Sequence, residues 1–223
     1  MKKELLIWVG IVAVFVALII GLVAIDKAIS GKDRTVLSTD ADWSIGPKDA
    51  KVTLLEYSDF QCPACAYYHG LLKTVLDKYG SKIRFSYRHF PLPQHPNAVF
   101  ASEFVEASGK QGKFWEMYNM VFEKQKGWSD LPEDKAKAQF ILYAKSFGLD
   151  EAKLLVDASS TEVKAKIEAD TQDGLKAGLR GTPTFFLNGE LIENPQGDID
   201  FESLISKAIN DSAKSDSTNT STK

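Results

Sequence analysis

The chain has 223 residues, 44% of them hydrophobic and 26% charged, which is ordinary globular composition. Its formal net charge of −3 supplies no basic face for nucleic acid or an acidic lipid surface. No segment repeats.

From Leu5 to Ile25 the run LLIWVGIVAVFVALIIGLVAI has 21 residues and no charge. At about 1.5 Å rise per residue it matches a hydrocarbon core of roughly 30 Å, so residues 1–25 are expected to form a transmembrane anchor. A cleaved signal peptide is the alternative. Its apolar core is shorter, about 7–15 residues, and it ends in a small-residue site, for which only Ala28-Ile29-Ser30 is available. Lys2 and Lys3 precede the run while Lys27, Lys32 and Arg34 follow it, so the charge balance does not fix orientation. Residues 26–43 are polar without periodicity and read as a linker.

Val52 to Tyr57 (VTLLEY) suits a buried strand. Residues 63–79 follow as a helix, with Tyr68, Leu71, Leu72, Val75, Leu76 and Tyr79 at helical spacing. Lys82–Phe90 alternates, placing Ile83, Phe85 and Tyr87 on one face. Strand, helix, strand in this order predicts a βαβ unit with parallel strands. After PLPQHP (Pro91–Pro96), residues 97–178 read as successive helices: Asn97–Ala107, Phe114–Lys124, Lys135–Phe147, Asp150–Ala158 and Thr161–Ala177. TFFL and ELI are then short strands around Asn188-Gly189, a strong hairpin signal. Phe201, Leu204, Ile205, Ala208 and Ile209 stripe a last helix, with Asp200 its candidate cap. Asp211–Lys223 is Ser/Thr-rich and expected to be disordered. Its Asn219-Thr220-Ser221 triplet matches a glycosylation sequon that short polar tails produce by chance.

The two cysteines, Cys62 and Cys65, lie three residues apart where the first strand meets the first helix. There the leading cysteine faces unpaired backbone N–H groups and the positive end of the helix dipole. Both favour a thiolate, which makes Cys62 the expected nucleophile. Cys65, one turn further in, is placed to resolve a mixed disulfide. Pro63 suits the first helical position. A structural disulfide closing so small a loop would contribute little stability. A zinc site needs more ligands, and His69, His89 and His95 show no metal spacing. No metal or cofactor is therefore expected.

EYSDFQCPAC, YRHFPL, HPNA and GTPTFFLNG, in that order, resemble the DsbA-like branch of the thioredoxin superfamily over roughly Ile45–Asn210. The resemblance implies an α/β thioredoxin-like fold, a four-stranded sheet flanked by helices, with a helical domain inserted at about 97–178 into a domain spanning 44–210. It matches Pro183 to the family's cis-proline beside the disulfide, and Thr182 to the residue whose backbone pairs with an extended substrate; a proline that merely opens a strand is the plainer reading. Glu56 matches the family's buried acid. A carboxylate in an apolar strand is costly unless paired or protonated, and a raised pKa would let it shuttle a proton for Cys65; an edge-exposed glutamate is the alternative. Ala64 stands where many such oxidases carry histidine, which implies a less oxidising pair. Thr182 is a choice associated more with isomerases, yet no dimerisation domain precedes the fold, and a monomer is expected.

The expected function is a thiol-disulfide oxidoreductase that introduces disulfides into newly exported, cysteine-containing proteins and is reoxidised by a membrane partner, expected to be quinone-linked. A reductase or isomerase of the same fold, or a peptide-binding envelope chaperone with incidental cysteines, are the alternatives. This chemistry implies a single-pass cell-membrane protein with a cytoplasmic N-terminus and an extracytoplasmic catalytic domain, periplasmic or extracellular.

Overall fold

The computed structural model describes residues 35–220 together with Trp8, residues 14–19 and Gly21. The chain divides into two units, residues 1–34 and 35–223. The expected membrane anchor, and the extracytoplasmic placement that rested on it, is corrected here: among the described residues no helix is long and apolar enough to cross a membrane. A spanning helix needs about 20 consecutive apolar residues, and none of the described helices supplies such a run. The rest of Leu5–Ile25 lies outside the described residues.

The second unit is built on a five-stranded mixed sheet, one strand more than expected, in the order β1-β3-β2-β4-β5. Strands β2 (Val52–Ser58) and β3 (Ile83–His89) are the central parallel pair, in register from Val52↔Ile83 to Ser58↔His89. Helix α1 (Pro63–Tyr79) makes the crossover between them. Strand β4 (Thr184–Leu187) runs antiparallel to β2, and β5 (Glu190–Leu191) turns back from it. Asn188 and Gly189 take φ values of 53° and 85°, the left-handed backbone that a two-residue hairpin requires.

The fifth strand, β1 (Trp43–Ile45), pairs antiparallel with β3 and comes from the end of the segment read as linker. Three residues are too short to show alternation, and long-range contacts hold this segment instead. Trp43 stacks on Phe114 with ring centroids 4.4 Å apart and donates Nε1–H to Glu106 at 2.7 Å. Upstream, Val36 N–H donates to Gly189 O at 2.9 Å, and Asp42 is gripped by both arms of Arg88 at 2.7 and 2.9 Å.

Between β3 and β4 come α2 (Ala98–Gly109), α3 (Phe114–Glu123), α4 (Glu133–Ser146), α5 (Glu151–Ala158) and α6 (Thr161–Lys176), each within about two residues of its expected place. Asp150 and Ser160 cap α5 and α6 by accepting from the N–H groups of Lys153 and Val163. The last helix, α7, spans Asp198–Thr220. Asp200 lies inside its first turn and accepts from Gln196 N–H at 2.9 Å, so it is not the cap expected. The polar segment from Asp211, expected to be disordered, continues α7; extending a helix already nucleated by packing costs little per residue.

The main core packs α1 and the inserted helices against one face of the sheet, with Leu54, Phe85, Phe104, Val121, Phe140 and Phe201 inside it. A smaller cluster of Leu55, Tyr57, Phe90, Leu179 and Phe186 covers the other face. Glu56 alternates with Leu55 and Tyr57, so its carboxylate points into the main core.

Candidate active site around two cysteines

The chain leaves the carboxyl end of β2 through Asp59, Phe60 and Gln61 and starts α1 at Cys62. Cys62 is the extended N-cap (φ −70°, ψ 122°) and Pro63 begins the helix, where its missing N–H costs nothing. The connection is held from several sides. Asp59 is fully buried; its carboxylate accepts from Gln61 N–H (2.7 Å) and Leu92 N–H (2.8 Å) and lies 2.6 Å from His95 Nδ1. The Asp59 carbonyl accepts from Cys62 N–H at 3.1 Å, and its N–H points at Cys65 Sγ at 3.5 Å. From the inserted helices, Gln125 donates one amide to two carbonyls, Phe60 O (2.8 Å) and Cys62 O (2.9 Å). Gln61 binds Ser129 O and accepts from Asn97 N–H.

Both cysteines are free thiols, in different surroundings. Cys62 is 7% exposed and Cys65 wholly buried. The S–H of Cys65, hydrogen-bonded to Cys62, is the main influence that brings the Cys62 thiol down to about 5, against the opposing effect of burial. Backbone N–H groups of Cys65 and Ala64 and the Thr182 side chain assist. The helix start assumed from sequence to dominate is therefore a contributor behind the partner cysteine. Burial pushes the Cys65 thiol well up, and the charges of Cys62 and Glu56 push it further.

Thr182 and Pro183 lie across from α1. Their peptide bond is cis, and Thr182 O is 3.5 Å from Cys62 Sγ. The Thr182 hydroxyl is buried and meets full hydrogen-bond geometry with nothing among the described residues, yet it lies close enough to Cys62 to favour the thiolate. Asn194 donates to Pro183 O at 2.9 Å.

Glu56 lies beneath the cysteines, 1% exposed. Burial raises its carboxyl to about 7, the charge of Cys62 adds to this, and the side chains of Ser58 and Tyr118 oppose it. Tyr118 reaches Glu56 Oε2 at 3.4 Å. Glu56 Oε1 and the adjacent Ser58 hydroxyl meet hydrogen-bond geometry with nothing among the described residues. Cys62, Cys65, Glu56, Thr182 and Pro183, far apart in sequence, thus meet at one end of the sheet. Ala64 is exposed and brings no polar group to them.

Sequence reasoning missed Gln125, the Asp59–His95 pair and Tyr118. Asp59 stood next to the noted motif, but its role depends on loops that meet only in the fold. Pro63, Tyr67, Phe122, Lys126 and Tyr143 line a cleft of about 870 Å³ that opens beside the cysteines between α1 and the inserted helices.

A family model described as thioredoxin matches residues 38–207. Among curated proteins, the Na(+)/H(+) antiporter NhaA of Herminiimonas arsenicoxydans is 35% identical over 144 residues, covering 65% of this chain and 22% of the antiporter. NhaA 1 of Mycolicibacterium vanbaalenii is 36% identical over 155 residues, 67% of this chain and 24% of that protein. The chain thus spans about a quarter of the length of these relatives. Among solved structures, alpha-DsbA1 of Wolbachia pipientis superposes with a TM-score of 0.72 at 19% identity, over 81% of this chain and 96% of that one. Oxidised BdbD of Bacillus subtilis does so with a TM-score of 0.67 at 22% identity, over 78% and 95%. At these identities the likeness is one of fold.

Proposed function

This chain belongs to the thioredoxin family, and we propose that it is a thiol-disulfide oxidoreductase that forms disulfide bonds in client proteins through Cys62 and Cys65. The observation that carries the reading is the inequality of the two sulfurs. One reaches the surface and is held near pKa 5; the other is fully buried and held well above the usual thiol range. Thiol exchange needs this asymmetry, because it fixes which sulfur is attacked and which leaves.

In the oxidised protein a client thiolate attacks Cys62 Sγ, forming the client–Cys62 bond and breaking Cys62–Cys65. Cys65 leaves and takes a proton, for which Glu56 is the donor in reach of its charge. A second client thiol then attacks the mixed disulfide, and Cys62 leaves as the stabilised thiolate. The client loses two electrons and the cysteine pair gains them. The backbone at Thr182 and Pro183 lies beside Cys62 Sγ and offers an extended client segment a strand to pair with. Residues 44–210 act as the catalytic domain, with 97–178 as the helical insertion. A separate redox partner, quinone-linked, reoxidises the pair.

Exposed Ala64 favours a second reading, a reductase or isomerase of the same fold, since it adds nothing to the thiolate's stability. Equilibration of the reduced and oxidised protein with glutathione buffers decides between them. The expected potential lies between the thioredoxin and DsbA values, about −270 and about −120 mV. A value at the thioredoxin end assigns a reductase. Client binding that survives loss of both cysteines would instead indicate a chaperone.

A further inference from the structure

The cleft of about 870 Å³ beside the cysteines begins where α1 begins, at Pro63, the residue after the nucleophile. Ala66, Tyr67 and Gly70 of α1 line one wall; the end of α3 and the turn of 3-10 helix at Gln125–Gly127 line the other. Its apolar surface is aromatic. Tyr67 is 56% exposed, so core packing does not account for a ring there, and Phe122 and Tyr143 line the cleft with it. Gly70 keeps it open. A glycine inside a helix is destabilising relative to alanine, yet a side chain at this position would meet nothing within 4 Å, so packing does not demand it. The charge is one-sided. Glu123 is the only carboxylate among the described residues that line the cleft, and it is already paired with Lys73 at 2.9 Å. Lys124 and Lys126 line it too, both exposed, and neither forms an ion pair among the described residues. A second cleft, of about 420 Å³, shares Pro63 and is lined by Asp130 and by no lysine or arginine.

Resting on the exchange activity proposed above, we propose that the larger cleft is a client subsite, which takes an extended segment carrying an aromatic side chain and a carboxylate within about three residues of its reacting cysteine. The reach follows from size. A cleft of this volume is about 10 Å across, and an extended chain advances about 3.3 Å per residue. The client ring lies against Tyr67 and Tyr143. Its carboxylate is met by Lys124 and Lys126, whose charge no carboxylate of the cleft takes up, whereas a basic client meets two like charges instead. Asp130 makes the smaller cleft a poor place for the same carboxylate. No bond forms or breaks in the cleft; the chemistry at Cys62 is unchanged, and the cleft selects which client reaches it. Cations after the C-terminus of α3 also suit the helix dipole. If that were their whole role, removing them would lower stability and leave the choice of client untouched.

The test mixes the full chain in its disulfide form with one-cysteine peptides that share a tryptophan and differ at one position, as aspartate, asparagine or lysine. Loss of the disulfide form is followed by mass after quenching in acid. Each rate is divided by that peptide's rate with a small neutral disulfide, which removes the effect of its charge on its own thiol. At low salt the aspartate peptide should react up to about fivefold faster than the asparagine peptide, and the lysine peptide more slowly than either. In 1 M salt, where charges are screened beyond about 3 Å, the order should collapse. Lys124→Gln combined with Lys126→Gln should erase the aspartate advantage. Gly70→Leu puts a strong helix former in place of a weak one and fills the cleft; it should lower the ratio of the peptide rate to the mercaptoethanol rate severalfold. Equal rates for the three peptides, an aspartate preference that survives the double substitution, or an unchanged ratio in Gly70→Leu would overturn the subsite. A wild-type protein that reacts with no thiol, mercaptoethanol included, defeats the exchange reading itself, whereas one that reacts with mercaptoethanol and ignores peptide charge defeats the subsite alone.

Discussion

Two buried polar clusters lie on opposite faces of β2, one residue apart in sequence, and they are built to opposite rules. Around Tyr57 everything is paired. Arg88 holds Asp42 through Nε and Nη2, reaches Tyr57 OH and Asp173 through Nη1, and donates to Leu37 O at 3.0 Å. Tyr57 OH itself donates to Asp173 at 2.5 Å. Burial alone would lower the Arg88 pKa, but Asp42 and Tyr57 drive it up, so the guanidinium stays charged at any working pH. Around Glu56 the pairing is incomplete, with two oxygens unpartnered and the third contact long, and the carboxyl is carried toward neutrality. A satisfied network holds its charges and fastens the chain. An unsatisfied one leaves a proton loosely owned, which is what proton transfer at pH 7 requires.

The largest expected effect is at the sulfurs. Cys62→Ala should abolish exchange and trap no clients, while Cys65→Ala should accumulate mixed disulfides, visible as thiol-sensitive adducts on non-reducing gels. Equal trapping by both variants would break the assignment of roles. Next comes the satisfied cluster. Arg88→Ala leaves Asp42 and Tyr57 buried without their partner and should destabilise the fold by about 3–5 kcal/mol, read from denaturant midpoints. The alkylation profile of Cys62 should stay centred near pH 5, because the cluster fastens and does not tune.

The smallest effect sharpens the contrast most. The Glu56 carboxyl lies higher in the folded state, at about 7, than its ordinary 4.5. The folded state thus binds the proton more tightly, so stability is greatest below pH 4.5, falls as pH rises to about 7, and is flat above. The total loss is up to about 3 kcal/mol. Glu56→Gln should remove this slope in the reduced protein and slow adduct formation. A pH slope that survives the substitution would place the titrating group elsewhere.

The residues proposed to carry the chemistry were legible because they sit in short contiguous strings. Cys62-Pro-Ala-Cys65 announces itself at a strand-to-helix step, and Gly181-Thr-Pro-Thr stands before a hairpin. Glu56 stood out as the one charge in an apolar strand. What stayed hidden depends on meetings across the fold. Asp42 and Arg88 are 46 positions apart, and Glu56 and Tyr118 are 62 apart. Tyr118 in its helix looks like any core aromatic. Strand β1 escaped because three residues carry no period, and its pairing with β3 depends on Trp43 finding Phe114. The apolar run Leu5–Ile25 shows the limit of hydropathy, which registers composition alone: among the described residues no helix is long and apolar enough to cross a membrane.

Gln125 has a mechanical consequence. A single amide group grips the carbonyls at both ends of the turn from Phe60 to Cys62, so the inserted helices and the nucleophile's loop are yoked. Parting the neighbouring cleft would therefore mean breaking these two hydrogen bonds or carrying the turn along with them. Shortening that amide's arm by one carbon, as Gln125→Asn does, uncouples the two parts like a slipped belt.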